Sequence, residues 1–84
     1  MKKNIYTHSF SAKCPVNGKT ISYSITIESG EMIEVEDIVS ATDDLKEGYH
    51  EHFADELSDR FQGLQIIEAT HHGVSIKTIR DRRQ

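Results

Sequence analysis

The sequence predicts an α+β domain ordered strand, strand, helix, helix, strand, strand, with one antiparallel sheet and both helices on one of its faces. Three observations carry this expectation. Ile21, Tyr23, Ile25 and Ile27 alternate with Thr20, Ser22, Ser24 and Thr26, the two-residue period of a half-buried strand. Tyr49, Phe53, Leu57 and Phe61 repeat every four residues with Ala54 beside them, the stripe of an amphipathic helix. The closing stretch LQIIEATHHGVSIKTIR holds two β-rich runs around His72-Gly73, a tight hairpin signal.

The elements follow in order. IYTHSFSA is rich in β-branched and aromatic residues and reads as a strand over about residues 5–13. Pro15, Asn17 and Gly18 then supply turn chemistry, so this run and the strand at 19–28 form a hairpin with a loop of four or five residues. Ser29-Gly30 ends the second strand. From Glu31 the spacing becomes helical: Met32, Val35, Ile38, Val39 and Leu45 recur, and Glu34, Glu36 and Asp37 sit where a helix start favours negative charge. A helix over 34–46 results, broken by Gly48, although MIEVEDIV also fits a third strand. The next helix covers 49–61 with Gly63 placed as its C-terminal glycine cap. Strands at 64–71 and 74–80 complete the sheet. Each helix has one apolar stripe to bury, and a single sheet covered on one face by two helices is the economical solution.

Composition bounds the function. At 84 residues the chain forms one domain, spanning 1–84, and its 36% hydrophobic and 29% charged residues are those of a globular protein. No apolar run approaches the roughly 20 residues of a membrane span, so no membrane association is expected. MKKNIYTH lacks the apolar core and cleavage site of a secretory signal, and a cytoplasmic location follows as an expectation. A single cysteine makes no internal disulfide and excludes a four-thiolate zinc site. The net charge of −4 argues against a phosphate-backbone binder. The basic residues Lys77, Arg80, Arg82 and Arg83 read as a solvated end, and no nucleic-acid partner is expected. Neither His50 with His52 nor His71 with His72 chelates by itself, since neighbours on a strand face opposite ways and helix positions two apart diverge. No metal site is expected.

The order of elements is that of the tunnelling fold, shared by GTP cyclohydrolase I, 6-pyruvoyl-tetrahydropterin synthase and the nitrile reductase acting on 7-cyano-7-deazaguanine. FSAKCPVNGKTI resembles the reductase phrase FTSLCPVTGQPD at the first hairpin. Ile33-Glu34-Val35-Glu36 stands where that family has Val-Glu-Ser-Lys, and Tyr49-His50-Glu51 is similar to its Phe-His-Glu. Ile66-Ile67-Glu68-Ala69 followed by His71-His72-Gly73-Val74-Ser75-Ile76 resembles its closing strand, turn and strand. The resemblance covers residues 10 to about 80 in order with little gapping.

That resemblance implies a site. Cys14 matches the family nucleophile, which adds to the nitrile carbon as a thiolate. Glu51 matches the carboxylate that anchors the guanine-like edge, a role suited to a group accepting two parallel N–H donors, and His50 matches the histidine beside it. Two positions depart from the pattern. Ile21 replaces an aspartate proton donor, and Glu36 replaces a lysine that holds NADPH phosphates. The resemblance therefore implies a purine- or pterin-like heterocycle as ligand, a homo-oligomer with pockets between subunits, no cofactor and no NADPH-dependent reduction. On residue type alone Cys14 also fits a buried structural thiol, and Glu51 a helix-start carboxylate. A non-catalytic interaction module remains the alternative, with Glu28, Glu31, Glu34, Glu36, Asp37, Asp43 and Asp44 meeting a basic partner.

Overall fold

A computed structural model describes residues 2–82. The first strand, β1 (Asn4–Lys13), pairs antiparallel with β2 (Thr20–Ser29), and two helices, α1 (Val35–Asp43) and α2 (His50–Arg60), precede β3 (Gly63–His71) and β4 (Val74–Arg82). The sheet runs β1-β2-β3-β4 with every neighbouring pair antiparallel. The predicted α+β order holds, and MIEVEDIV enters α1 rather than forming a strand.

The β2 alternation decides which face is buried. Tyr23, Ile25 and Ile27 point inward at 1–2% exposure. Opposite them across the ladders stand Phe10 and Ile67, on β1 and β3. The helices lay Ile38, Ala41, Phe53, Ala54 and Leu57 over this surface. Gln65, buried on β3, donates from Nε2 to the Leu57 carbonyl at 3.0 Å and the Phe61 carbonyl at 2.7 Å. It thereby gives the Leu57 carbonyl a second donor beside Phe61 N–H, supplies one to the Phe61 carbonyl past the end of α2, and ties that end to the sheet.

Several expectations change on folding. The α1 helix stops at Asp43, short of residue 46. Thr42 Oγ1 bonds the carbonyls of Ile38 and Val39, and the chain tightens through Leu45 N–H to Thr42 O. Residues 46–48 then dock on the end of β1, with Lys13 N–H reaching Lys46 O at 2.9 Å and Gly48 N–H reaching Lys13 O at 3.2 Å. Gly48 thus lies beyond the helix end; a Cβ there would meet the Phe53 ring at 2.7 Å. Of the apolar positions spaced along this helix, Ile38 is buried and Leu45 is buried just past its end, whereas Met32, Val35 and Val39 are exposed. Tyr49 also leaves the apolar stripe: it is the extended N-cap of α2 and is 54% exposed, while His50 takes the inward place.

The turns show why their glycines are required. His72 and Gly73, at φ 51° and 80°, make the two-residue hairpin of β3 and β4 with both central residues in the left-handed region. Between β1 and β2, Cys14 N–H donates to Lys19 O at 2.8 Å and leaves residues 15–18 to turn. Gly63 is the first residue of β3, and α2 ends at Phe61 in extended conformation, so Gly63 is no helix cap. It has φ 123°, and a Cβ there would strike the Glu28 carbonyl of β2. Close strand approach is its role. The basic run also differs from a free solvated end: Lys77 faces Glu68, Arg80 meets Asp55 at 2.8 Å and Arg82 meets Asp59 and the Ser58 carbonyl. Arg83 lies outside the described residues.

Gly63→Ala should cost at least about 2 kcal/mol, because it adds a backbone clash to a disfavoured φ. Gly18→Ala, with positive φ but open space around it, should cost only about 1 kcal/mol. Urea unfolding of the two variants gives the comparison, and equal losses would remove close approach as the reason for Gly63.

Candidate functional site

The start of α2, the end of β1 and the β3–β4 turn meet at one end of the sheet. They enclose a cavity of about 430 Å³ whose lining includes Cys14, His50, Glu51, His52, His71 and His72, with Pro15, Val16, Tyr49 and Ile76 as apolar wall. All three sequence-derived site residues, Cys14, His50 and Glu51, therefore line one concavity of the chain. A larger depression of about 600 Å³ lies on the open face of the sheet, among Ser9, Ser22, Ser24, Thr70 and Ser75. The smaller cavity is the chemical candidate, since it gathers a thiol, a carboxylate and imidazoles, and such convergence in a concave wall marks a binding site.

Local geometry places each group. Cys14 leaves β1 with its backbone held on both sides: its N–H donates to Lys19 O, and Gly18 N–H donates to its carbonyl, each at 2.8 Å. The thiol is buried and free. Glu51 is in the first turn of α2 and exposed, where a carboxylate is favoured by the helix dipole and open to a ligand. His50, the first residue of α2, is buried at 6% exposure. Its ring lies 5.6 Å from that of His71 and 5.7 Å from that of Tyr23. Asn17 Nδ2 and His72 Nε2, 3.5 Å apart, join the two loops at the cavity mouth.

His71 and Tyr23 escaped the sequence reading. Tyr23 was legible as core, which it is, but its hydroxyl reaches the site end of the core and has no hydrogen-bond partner there. His71 does not pair with the adjacent His72; its ring neighbour is His50, a helix residue distant in sequence. Burial, then the adjacent Cys14, pushes the Tyr23 phenol above its usual range. Burial foremost, and His71 next, holds the His50 imidazole below the usual histidine range; Arg80 acts in the same direction, while the Ile67 carbonyl and Glu51 oppose. Both side chains are thus neutral near pH 7.

Ile21 is half-buried against the core opposite Ala12, so the position is apolar in its surroundings as well as in type. Glu36 is exposed in the first turn of α1 and does not line the cavity. Among the described residues no group of three or more His, Cys, Asp or Glu is placed to hold a metal ion, and no helix is long and apolar enough to cross a membrane.

No family model matches this chain, and no curated protein matches it. Among solved structures it is similar to the apo crystal structure of an archaeosine synthase of the QueF-like type, at 13% identity and a TM-score of 0.75. The match covers 93% of this chain and 90% of the other. The chain thus has the tunnelling fold of that protein.

The ionisation of the two buried side chains gives a pH prediction. An unfolded chain protonates His50 near 6.5, before the native protein does, so native stability falls as pH drops below about 6.5. Tyr23 acts at the other end: the unfolded phenol ionises first, and stability falls as pH rises past about 10. Urea titrations at pH 7.5 and 5.5 should show the acid loss in the wild type and a smaller loss in His50→Phe. An equal loss in both would show that other groups carry it.

Proposed function

We propose that this chain binds a small purine- or pterin-like heterocycle in the cavity between α2, the end of β1 and the β3–β4 turn. The observation that supports this most directly is the meeting of Cys14, His50 and Glu51 on one wall-lined concavity. Glu51 accepts two N–H donors of the heterocycle, His50 forms the polar floor beside it, and Cys14 lines the wall as a thiol able to add to an electrophilic ligand carbon. NADPH-dependent reduction is not part of the activity: Ile21 offers no proton, and Glu36 would repel a phosphate. The neighbour's description as an archaeosine synthase accords with a ligand of this class. We place the protein in the cytoplasm as a homo-oligomer, because β1 and β4 each leave one edge without a strand partner and long bare edges call for cover.

A second reading, docking of a basic partner, draws on one observation. Met32, Val35 and Val39 are exposed beside Glu34, Glu36 and Asp37, a mixed apolar and acidic surface on the α1 side. It predicts that Glu36→Lys with Asp37→Lys weakens partner capture and leaves heterocycle binding untouched.

A thermal-shift panel of guanine, deazaguanine and pterin compounds tests the main reading, since a ligand that binds only the native state raises its melting temperature. Each charged hydrogen bond is worth roughly 1.5–3 kcal/mol, so Glu51→Ala should erase the shift and Cys14→Ala should keep it. A panel without any shift, or a Glu51→Ala variant that binds as well as wild type, would overturn the assignment. Purified protein with 7-cyano-7-deazaguanine should consume no NADPH above background; steady turnover would restore the reductive reading.

A further inference from the structure

Beneath the cavity lie four polar atoms without a hydrogen-bond partner: Tyr23 Oη, His50 Nδ1, His50 Nε2 and His71 Nε2. They belong to one cluster. The ring centroids of Tyr23 and His50 are 5.7 Å apart, those of His50 and His71 5.6 Å, and those of Tyr23 and His71 5.8 Å. All four atoms are shut off from solvent. Orphaned polar atoms inside a protein are uncommon, and several in one place ask for an explanation.

The His50 side of the triangle is the one able to move. His50 is the first residue of α2, and Tyr49, the N-cap, makes no side-chain capping bond. One turn of helix, held through Phe53 N–H to Tyr49 O at 3.1 Å, fixes this end. Tyr23, by contrast, is fixed in mid-strand and stacked on Phe10 at 5.1 Å. The groups around His50 come from every adjoining element: Cys14 from the end of β1, Tyr23 from β2, Glu51 and His52 from α2, His71 and His72 from β3 and its turn, and Arg80 from β4. A proton on His50 is opposed inside by burial first, by His71 next and by Arg80 least, against weaker support from the Ile67 carbonyl and Glu51. Outside it would be solvated and next to the exposed Glu51 carboxylate.

We propose that the His50 ring is a proton-operated plug of the cavity floor. Neutral, it packs inward against Tyr23 and His71. Protonated, it turns outward to water and Glu51 and opens the Tyr23 hydroxyl and His71 Nε2 to the cavity, which deepens by the volume of the ring. The half-buried His71 imidazole disfavours a proton on the inward-packed His50 ring, so a proton on His50 triggers the opening. The cavity then has a closed form at neutral pH and a deeper, more polar form in mild acid, whatever it binds.

Flavin-photosensitised NMR polarisation of tyrosine rings reads this directly, because only solvent-reachable rings respond. Exposed Tyr49 should respond at every pH. Tyr23 should be silent at pH 7.5 and gain a signal several-fold above background by pH 5, with a midpoint below about 6.5 and an unchanged far-UV circular dichroism spectrum. In His50→Phe, Tyr23 should stay silent throughout. In His71→Gln, which removes a neighbour that opposes the proton, the midpoint should move up; this variant carries the test if His50→Phe does not fold. The plug is overturned if wild-type Tyr23 stays silent to pH 5, if it responds only as circular dichroism reports unfolding, if His50→Phe responds as wild type does, or if His71→Gln leaves the midpoint in place.

Discussion

The packing around Tyr23 is the constraint on which the rest of the molecule depends. Its ring stacks on Phe10 of β1 at 5.1 Å, takes the edge of Phe53 from α2 at 5.3 Å, and meets His50 and His71 at 5.7 and 5.8 Å. One side chain thus touches β1, α2 and β3 from the middle of β2. The packed rings of Tyr23, Phe10 and Phe53 contribute the large buried areas that a short chain needs, and aromatic edge-to-face contacts add about 0.5–1.5 kcal/mol beyond burial. The same residue is also where the core ends and the cavity begins: its carbon skeleton is core, and its hydroxyl lies among the imidazoles.

This sharing explains the character of the candidate site. A domain of this size buries only roughly 60–70% of its unfolded surface, so it has little room for a pocket separate from the core. The cavity is built instead on the end of the core, where the aromatic layer of Phe10, Tyr23 and Phe53 passes into His50 and His71. The result is a floor of poorly solvated polar groups and an outer wall on which the Glu51 carboxylate is exposed.

The opposite face of the sheet is of another kind. Thr7, Ser9, Ser11, Ser22, Ser24, Thr26, Thr70 and Ser75 stand on it, with Glu68 and Lys77 paired across β3 and β4. Short hydroxyl side chains keep most of that face wet, with Ile66 paired to exposed Ile79 and exposed Ile5 as its apolar patches, while the helices bury the other. Among the described residues the two outer strands have no strand partner on one side each, apart from the bridge between Lys13 and Glu47 at the end of β1. Apolar residues at Ile5, Met32, Val35 and Val39 on the β1 side, and at Val74 and Ile79 on β4, are exposed. The single chain has therefore closed its core while leaving its lateral edges bare.

The order of elements was legible in the residues because hydrophobic period is a local property. The two-residue alternation from Ile21 to Ile27, the four-residue repeat from Phe53 to Phe61 and the His72-Gly73 turn each act over a few positions. Phrases around Cys14 and Glu51 likewise marked the residues that line the cavity. Tertiary structure decided the rest. Whether Tyr49 or His50 faces inward depended on where the helix began: Tyr49, at φ −85° and ψ 147°, is extended, so the helical face starts one residue later. Gly63 looked like a cap by position, and only the approach of β2 revealed the carbonyl it must avoid. Met32, Val35 and Val39 had helical spacing, yet α1 meets only β1 and the flank of α2 and leaves that side open. His71 joined His50 only when β3 and the start of α2 met at one end of the sheet. Period records which residues share a face; which faces are covered, and which ends meet, is settled by packing between elements far apart in the chain.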